Sequence, residues 1–200
     1  ALERIILDLC AARAEPIPFF GELGSVNPMF LLPEGLAKRG EAIAEGWAAS
    51  LTMGAGQFCT NPGVVVVMDG VGMDVFIGAV VSALGKIDKQ TLLNDGIAAA
   101  YRDGVQRVAS IDGVKSLIGE RCETREASPY LFETSGENWL QNETLSEEVF
   151  GPLGVVVRVS DLDEMIEVAR SFHGQLTATL HMEPADTETA NRLFPILERM

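Results

Sequence analysis

Three short stretches of this sequence carry side chains that could do chemistry. The first is Gly56-Gln57-Phe58-Cys59, running on into Thr60-Asn61-Pro62-Gly63. It sets a lone cysteine between glycines, after a helix-like segment from Glu34 to Met53 and ahead of an apolar strand from Val64 to Met68. A thiol there sits at the end of packed elements, within reach of a substrate and close to backbone N–H groups, as a nucleophilic thiolate requires. Free cysteine is also among the most buried residue types, so the same residue would suit a small place in a core. The second stretch, Phe20-Gly21-Glu22-Leu23-Gly24-Ser25, carries an acidic residue from a strand into a glycine turn. Held in a cleft, the Glu22 carboxylate could serve as a general base; on an open turn it would only be solvated. The third, Glu147-Glu148-Val149-Phe150-Gly151-Pro152, puts a carboxylate and an aromatic ring just before a strand. A carboxylate can accept hydrogen bonds from ribose hydroxyls, and an aromatic ring can pack on a planar one. A surface glutamate and a core phenylalanine are the plainer alternatives.

The elements that must position these residues follow from periodicity. Leu2 to Arg13 has helical spacing, with Leu2, Ile5, Ile6, Leu9 and Cys10 on one stripe, and Pro16 and Pro18 end it. Phe19 to Leu23 and Met29 to Leu32 read as short strands. Pro33-Glu34 opens a long helix with Leu36, Ile43, Trp47 and Leu51 facing inward. The β-branched run Val64 to Met68 has the pattern of a strand buried on both faces of a parallel sheet. Met73 to Leu84 reads as a buried helix and Asn94 to Val108 as another, with Val114 and Leu131-Phe132 in short extended pieces. Gly154 to Val159 is a second strongly apolar strand, and Ser160-Asp161 caps a helix from Leu162 to Phe172. Leu176 to His181 reads as a strand and Ala185 to Arg199 as a helix. This alternation predicts an α/β fold, a mainly parallel sheet flanked by helices.

Composition narrows the function classes. The 200 residues suffice for a sizeable core. A formal net charge of −14 opposes binding to nucleic acid or to an anionic membrane surface, since both need clustered Lys and Arg. The acidic runs Glu120 to Glu126, Glu143 to Glu148 and Asp161 to Glu167 read as solvated faces. No apolar run is long enough to span a bilayer, the one from Val75 to Leu84 being broken by Gly78. Three cysteines without a Cys-x-x-Cys pair argue against a disulfide framework or a cysteine-based zinc site and fit a reducing cytoplasm. With His173 and His181 as the only histidines, a histidine-rich metal site is not expected.

Taken together, Glu-Leu-Gly-x at 22–25, Gly-Gln-x-Cys at 56–59 and Glu-x-Phe-Gly-Pro at 148–152 resemble the aldehyde dehydrogenase superfamily in order and spacing, over essentially the whole chain. Gly-Gln-Phe-Cys-Thr-Asn-Pro-Gly, with Glu-Leu-Gly-Ser-Val-Asn-Pro, further resembles its 2-oxoglutarate semialdehyde (2,5-dioxopentanoate) branch. The resemblance implies that Cys59 attacks the aldehyde carbonyl, that its own backbone N–H meets the oxyanion, and that Glu22 activates the water that hydrolyses the resulting thioester. It implies NAD or NADP as cofactor, with Glu148 on the nicotinamide ribose, Phe150 near the ring and the Leu23 backbone near the carboxamide. It also implies a small aldehyde substrate and a homo-oligomer in the full-length protein. Residues 1–27 would be the C-terminal remnant of a cofactor-binding domain, and residues 28–200 a catalytic domain truncated at its C-terminus. The family's glycine-rich nucleotide turn, its adenosine-side lysine and the asparagine completing its oxyanion hole have no match within these residues. They would belong upstream of Ala1, and the chain on its own is expected to be inactive. Ser25 stands where the family commonly has a second glycine, a position expected to supply backbone geometry only. Two other readings remain at this point: a thiol-dependent acyltransferase or esterase, and a structural fragment with an inert Cys59.

Overall fold

Two apolar runs, Val64–Met68 and Leu153–Val159, lie side by side in register at the centre of the molecule, Val65 opposite Val156 and Val66 opposite Val157. The computed structural model describes residues 2–22 and 24–200. Its strands are β1 (Met29–Leu31), β2 (Val64–Met68), β3 (Gln90–Thr91), β4 (Lys115–Ile118), β5 (Glu126–Ala127), β6 (Tyr130–Ser135), β7 (Leu153–Val159) and β8 (Thr179–His181). Its α-helices are α1 (Leu2–Ala11), α2 (Pro33–Thr52), α3 (Met73–Leu84), α4 (Asp95–Ala109), α5 (Gly136–Gln141), α6 (Leu162–Ser171) and α7 (Thr187–Leu197). The main sheet has the order β4-β6-β7-β2-β1-β8. Every neighbouring pair in it is parallel except the edge pair β4–β6. A small antiparallel pair, β3–β5, stands apart from it.

Alternation along β2 builds two cores, since successive side chains leave opposite faces of the sheet. Val65 and Val67 join Met29, Leu31, Trp47, Leu51, Phe76 and Val80 beneath α2 and α3. Val64 and Val66 join Phe30, Tyr101, Phe132, Val155, Val157, Met165 and Leu193 beneath α4, α6 and α7. Side chains cap the starts of α4 and α6. The Asn94 side chain accepts from the Ile97 N–H and that of Asp161 from the Glu164 N–H, satisfying donors a helix start leaves free.

Four expectations are corrected. Residues 19–22 form no strand; Phe20 is 91% exposed, and an extended segment without a partner has no ladder to join. The third helix is buried along one side only, with Met73, Phe76, Val80 and Leu84 inward and Val75 out. β8 starts at Thr179 rather than Leu176, because residues 175–177 are bonded sideways to the segment before β1. The apolar stripe of α1 leaves Ile5 and Leu9 exposed rather than packed. Among the described residues no helix is long and apolar enough to cross a membrane, and no cluster of His, Cys, Asp and Glu is placed to hold a metal ion.

Candidate active site

Each chemistry-bearing stretch runs directly into a strand. Residues 24–28 lead into β1, 57–63 into β2, 148–152 into β7 and 173–178 into β8. The strands β7-β2-β1-β8 are adjacent and parallel, so all four leading segments converge on the amino edge of the sheet. Open α/β sheets ordinarily bind ligands at the carboxyl edge. Here the lead-in loops, rather than the strand ends, gather the chemistry-bearing residues.

The Cys59 loop is locked by its backbone. After α2 the chain passes through a left-handed run, Gly54 (φ 55°), Ala55 (φ 58°) and Gly56 (φ 67°). The turn is then tied back: Asn61 donates from Nδ2 to the Leu51 carbonyl at 2.9 Å, and the Trp47 indole donates to the Pro62 carbonyl at 2.7 Å. The Gly63 N–H reaches the Val26 carbonyl at 2.9 Å, and the Val155 N–H reaches the Gly63 carbonyl at 2.9 Å, so the loop is stitched to both neighbouring strands. Gly56 lies hard against the turn at Gly151-Pro152; a Cβ there would fall 2.6 Å from the Pro152 nitrogen and nearer still to the Gly151 carbonyl. The Cys59 and Phe58 side chains are left exposed on this rigid base. Cys10 is half-buried and Cys122 buried, so Cys59 is the thiol open to a substrate.

Glu148 and Phe150 lie at the same edge of the sheet. Glu148 is half-buried against Gly24, where a Cβ would come 3.3 Å from its Oε2. Burial pushes its carboxyl above the ordinary value; the hydrogen bond donated by the Ser25 backbone N–H pulls it down, and the charge of Glu22 adds to the rise. Glu22 is exposed on the segment approaching β1, close enough for that charge to be felt. Phe150 is 37% exposed, a ring at the surface rather than in the core. Behind it the Tyr101 hydroxyl, pushed well up by burial, donates to the Ser128 carbonyl at 2.8 Å and approaches the Pro152 carbonyl at 3.3 Å.

The structure thus brings Cys59, Glu148 and Phe150 to one edge, with Glu22 beside Glu148. Leu23 lies outside the described residues. Sequence reasoning passed over Asn27 and gave Ser25 a backbone role only. The Ser25 side chain is 3% exposed and bonded to Asn27, Gln175 and the Leu176 N–H, so the residue does more than shape the backbone. Asn27, 2% exposed, donates to the Cys59 carbonyl. An asparagine between a valine and a proline, just before an apolar strand, was the available signal, because Asn tolerates the left-handed φ of 48° found there.

The sequence profile of the aldehyde dehydrogenase family matches residues 3–194. Over 196 residues, 97% of this chain, the sequence is 44% identical to alpha-ketoglutaric semialdehyde dehydrogenase 2 of Azospirillum brasilense, covering 37% of that protein. It is 35% identical over 197 residues to the alpha-ketoglutaric semialdehyde dehydrogenase of Acinetobacter baylyi, covering 97% of this chain and 38% of that one. The chain therefore spans well under half the length of these relatives. The fold superposes on the crystal structure of a NAD-dependent benzaldehyde dehydrogenase from Corynebacterium glutamicum with a TM-score of 0.78. That match covers 96% of this chain and 42% of the other at 21% identity, a likeness of fold. On the profile match and the two relatives, the chain belongs to the aldehyde dehydrogenase family.

Proposed function

We propose that this chain is the thiol-bearing part of an NAD- or NADP-dependent aldehyde dehydrogenase, with residues 1–27 closing its cofactor domain and 28–200 in its catalytic domain. The observation that carries this reading is an exposed Cys59 on a backbone-locked loop, at the same sheet edge as Glu22, Glu148 and Phe150. The substrate we infer is 2-oxoglutarate semialdehyde, the aldehyde named for the two relatives at 44% and 35% identity. The assembled enzyme is read as a cytoplasmic homo-oligomer.

The residues present fit the nicotinamide-ribose end of such a cofactor. Glu148 is a half-buried acceptor pressed against Gly24, and Phe150 offers an exposed ring beside it. A carboxylate accepts from paired hydroxyls, and a ring edge or face packs on a planar heterocycle. When bound, the nicotinamide supplies a hydride acceptor. The rest is chemistry of this chain. The Cys59 sulfur bonds to the aldehyde carbon, and the Cys59 backbone N–H donates to the oxygen that gains charge. After oxidation the acyl group stays on sulfur. Glu22 takes a proton from water, the water oxygen bonds to the acyl carbon, and the sulfur leaves as thiolate. Dividing the reaction at a thioester separates oxidation from hydrolysis, each with a lower barrier than a single combined step.

Glu22→Gln and Cys59→Ser separate the two halves in the enzyme that contains this chain. Glu22→Gln should keep a burst of reduced cofactor near one per site while steady turnover falls by roughly two orders of magnitude or more. Cys59→Ser should lose the burst, since a hydroxyl is a far weaker nucleophile than a thiolate. A burst lost equally in both would place Glu22 before oxidation and contradict its role with water.

A further inference from the structure

Asn27 has no part in the chemistry above, yet its buried amide is fully used. Its Nδ2 donates to the Cys59 carbonyl at 2.9 Å and to the Asn61 carbonyl at 2.9 Å. Its Oδ1 accepts from the Ser25 hydroxyl at 3.0 Å and from the Thr177 hydroxyl at 3.0 Å. Gln175 completes the cluster, its Oε1 accepting from the backbone N–H groups of Val26 and Asn27, both at 2.9 Å. The Leu176 N–H donates to the Ser25 hydroxyl at 3.0 Å. Three lead-in segments of the sheet, before β1, β2 and β8, therefore meet at one side chain. Two of the bonds grip the backbone on either side of Thr60, next to the thiol-bearing residue itself.

We propose that Asn27 is a positioning residue that fixes the Cys59 backbone for acylation, that the Ser25 and Thr177 hydroxyls hold its amide in that orientation, and that Gln175 holds its backbone. The proposal rests on the reading of Cys59 as the nucleophile. Asparagine is suited to the place on two grounds. It tolerates the left-handed φ of 48°, and it supplies two donors and an acceptor from one short, stiff group. Aspartate has the same shape and would turn an oxygen toward two carbonyl oxygens. Glycine would keep the backbone angle and leave the Cys59 and Asn61 carbonyls without this donor. Because a reacting atom displaced by about 1 Å can cost on the order of a hundredfold in rate, the loss should appear in the acylation step.

The test uses the enzyme containing this chain, with Asn27→Asp, Asn27→Gly and Cys59→Ser made in parallel. In both Asn27 variants the burst rate constant should fall at least about tenfold while KM for the nicotinamide cofactor stays within about twofold. Amide hydrogen exchange at Asn61 and Gly63, whose N–H groups donate to the Phe58 and Val26 carbonyls, should speed up by about tenfold or more, with Val65 and Val156 at the sheet centre unchanged. If Asn27→Asp does not fold, Asn27→Gly carries the test, because its backbone is unstrained. A burst rate within twofold of the parent, or unchanged loop exchange, would overturn the proposal. So would acceleration of exchange equally at Val65 and Val156, which marks general loosening. A burst that survives Cys59→Ser would instead overturn the nucleophile reading, while loop exchange would still report whether Asn27 holds the loop.

Discussion

Placing a single methyl group on Gly56 should separate the Cys59 loop from the turn that carries Phe150. An alanine Cβ at this position would fall 2.6 Å from the Pro152 nitrogen and closer to the Gly151 carbonyl, against an ordinary contact of 3.4–4 Å. Both neighbours are backbone, so neither can rotate out of the way, and one loop must move by about an ångström. The φ of 67° adds about 1–2 kcal/mol of left-handed strain for a residue with a Cβ. Overpacking of a tight contact adds about 1–3 kcal/mol. The sum, about 2–5 kcal/mol, corresponds to a fall in Tm on the order of 4–20 °C for a domain of this size. Gly46 is the internal control, because a Cβ on that exposed position within α2 meets nothing within 4 Å. Gly46→Ala should stabilise by about 0.5–1 kcal/mol through helix propensity alone. Urea denaturation of both variants reads the difference directly. If Gly56→Ala lost less than about 0.5 kcal/mol, the two loops would not be held in rigid contact and the site geometry described here would be wrong.

Tyr101→Phe removes the donor to the Ser128 and Pro152 carbonyls and should cost about 0.5–1.5 kcal/mol by urea denaturation; no measurable loss would mean the Phe150 turn is not supported from behind. His181 is held below 6.5 by burial and by the charge of Arg39, so the folded state binds its proton less readily than the unfolded one. The stability it contributes is present above pH 6.5 and lost as pH falls through the folded value, and His181→Gln should flatten Tm against pH across that window. An unchanged slope would refute the assignment. Iodoacetamide at neutral pH should modify Cys59 first, Cys10 next and Cys122 last, following exposure, with Cys59 at least about tenfold ahead of Cys122 by peptide mapping. Faster labelling of Cys122 would show that the loop does not present Cys59 to solvent.

The sheet was legible because its central strands announce themselves. Val64–Met68 and Leu153–Val159 are too continuously apolar to face water, and α2 and α6 carry their start signals in Pro33 and Asp161. The three motifs could also be seen to precede strands, which is why a shared edge was within reach of the sequence. What could not be read was the pairing of β3 with β5, two residues each, where periodicity has nothing to repeat. β8 starts later than its residue types suggest, because Leu176 and Thr177 look like strand residues while their hydrogen bonds go to Ser25 and Asn27. Those bonds join residues about 150 positions apart, and no local pattern encodes them. The same holds for Ser25, whose burial follows from Gln175 rather than from its own motif.

The central claim is that an acyl group is carried on Cys59 and released by Glu22. Trapping that adduct tests it most directly. The Glu22→Gln enzyme containing this chain would be mixed with cofactor and 2-oxoglutarate semialdehyde, acid-quenched within the burst, digested and examined by mass spectrometry. The account predicts that the peptide bearing Cys59 gains the mass of the acyl group, near one per site, and that the adduct decays far more slowly than in the parent enzyme. An unmodified Cys59 peptide during a full burst, or an acyl group found on Cys10 or Cys122 instead, would contradict it.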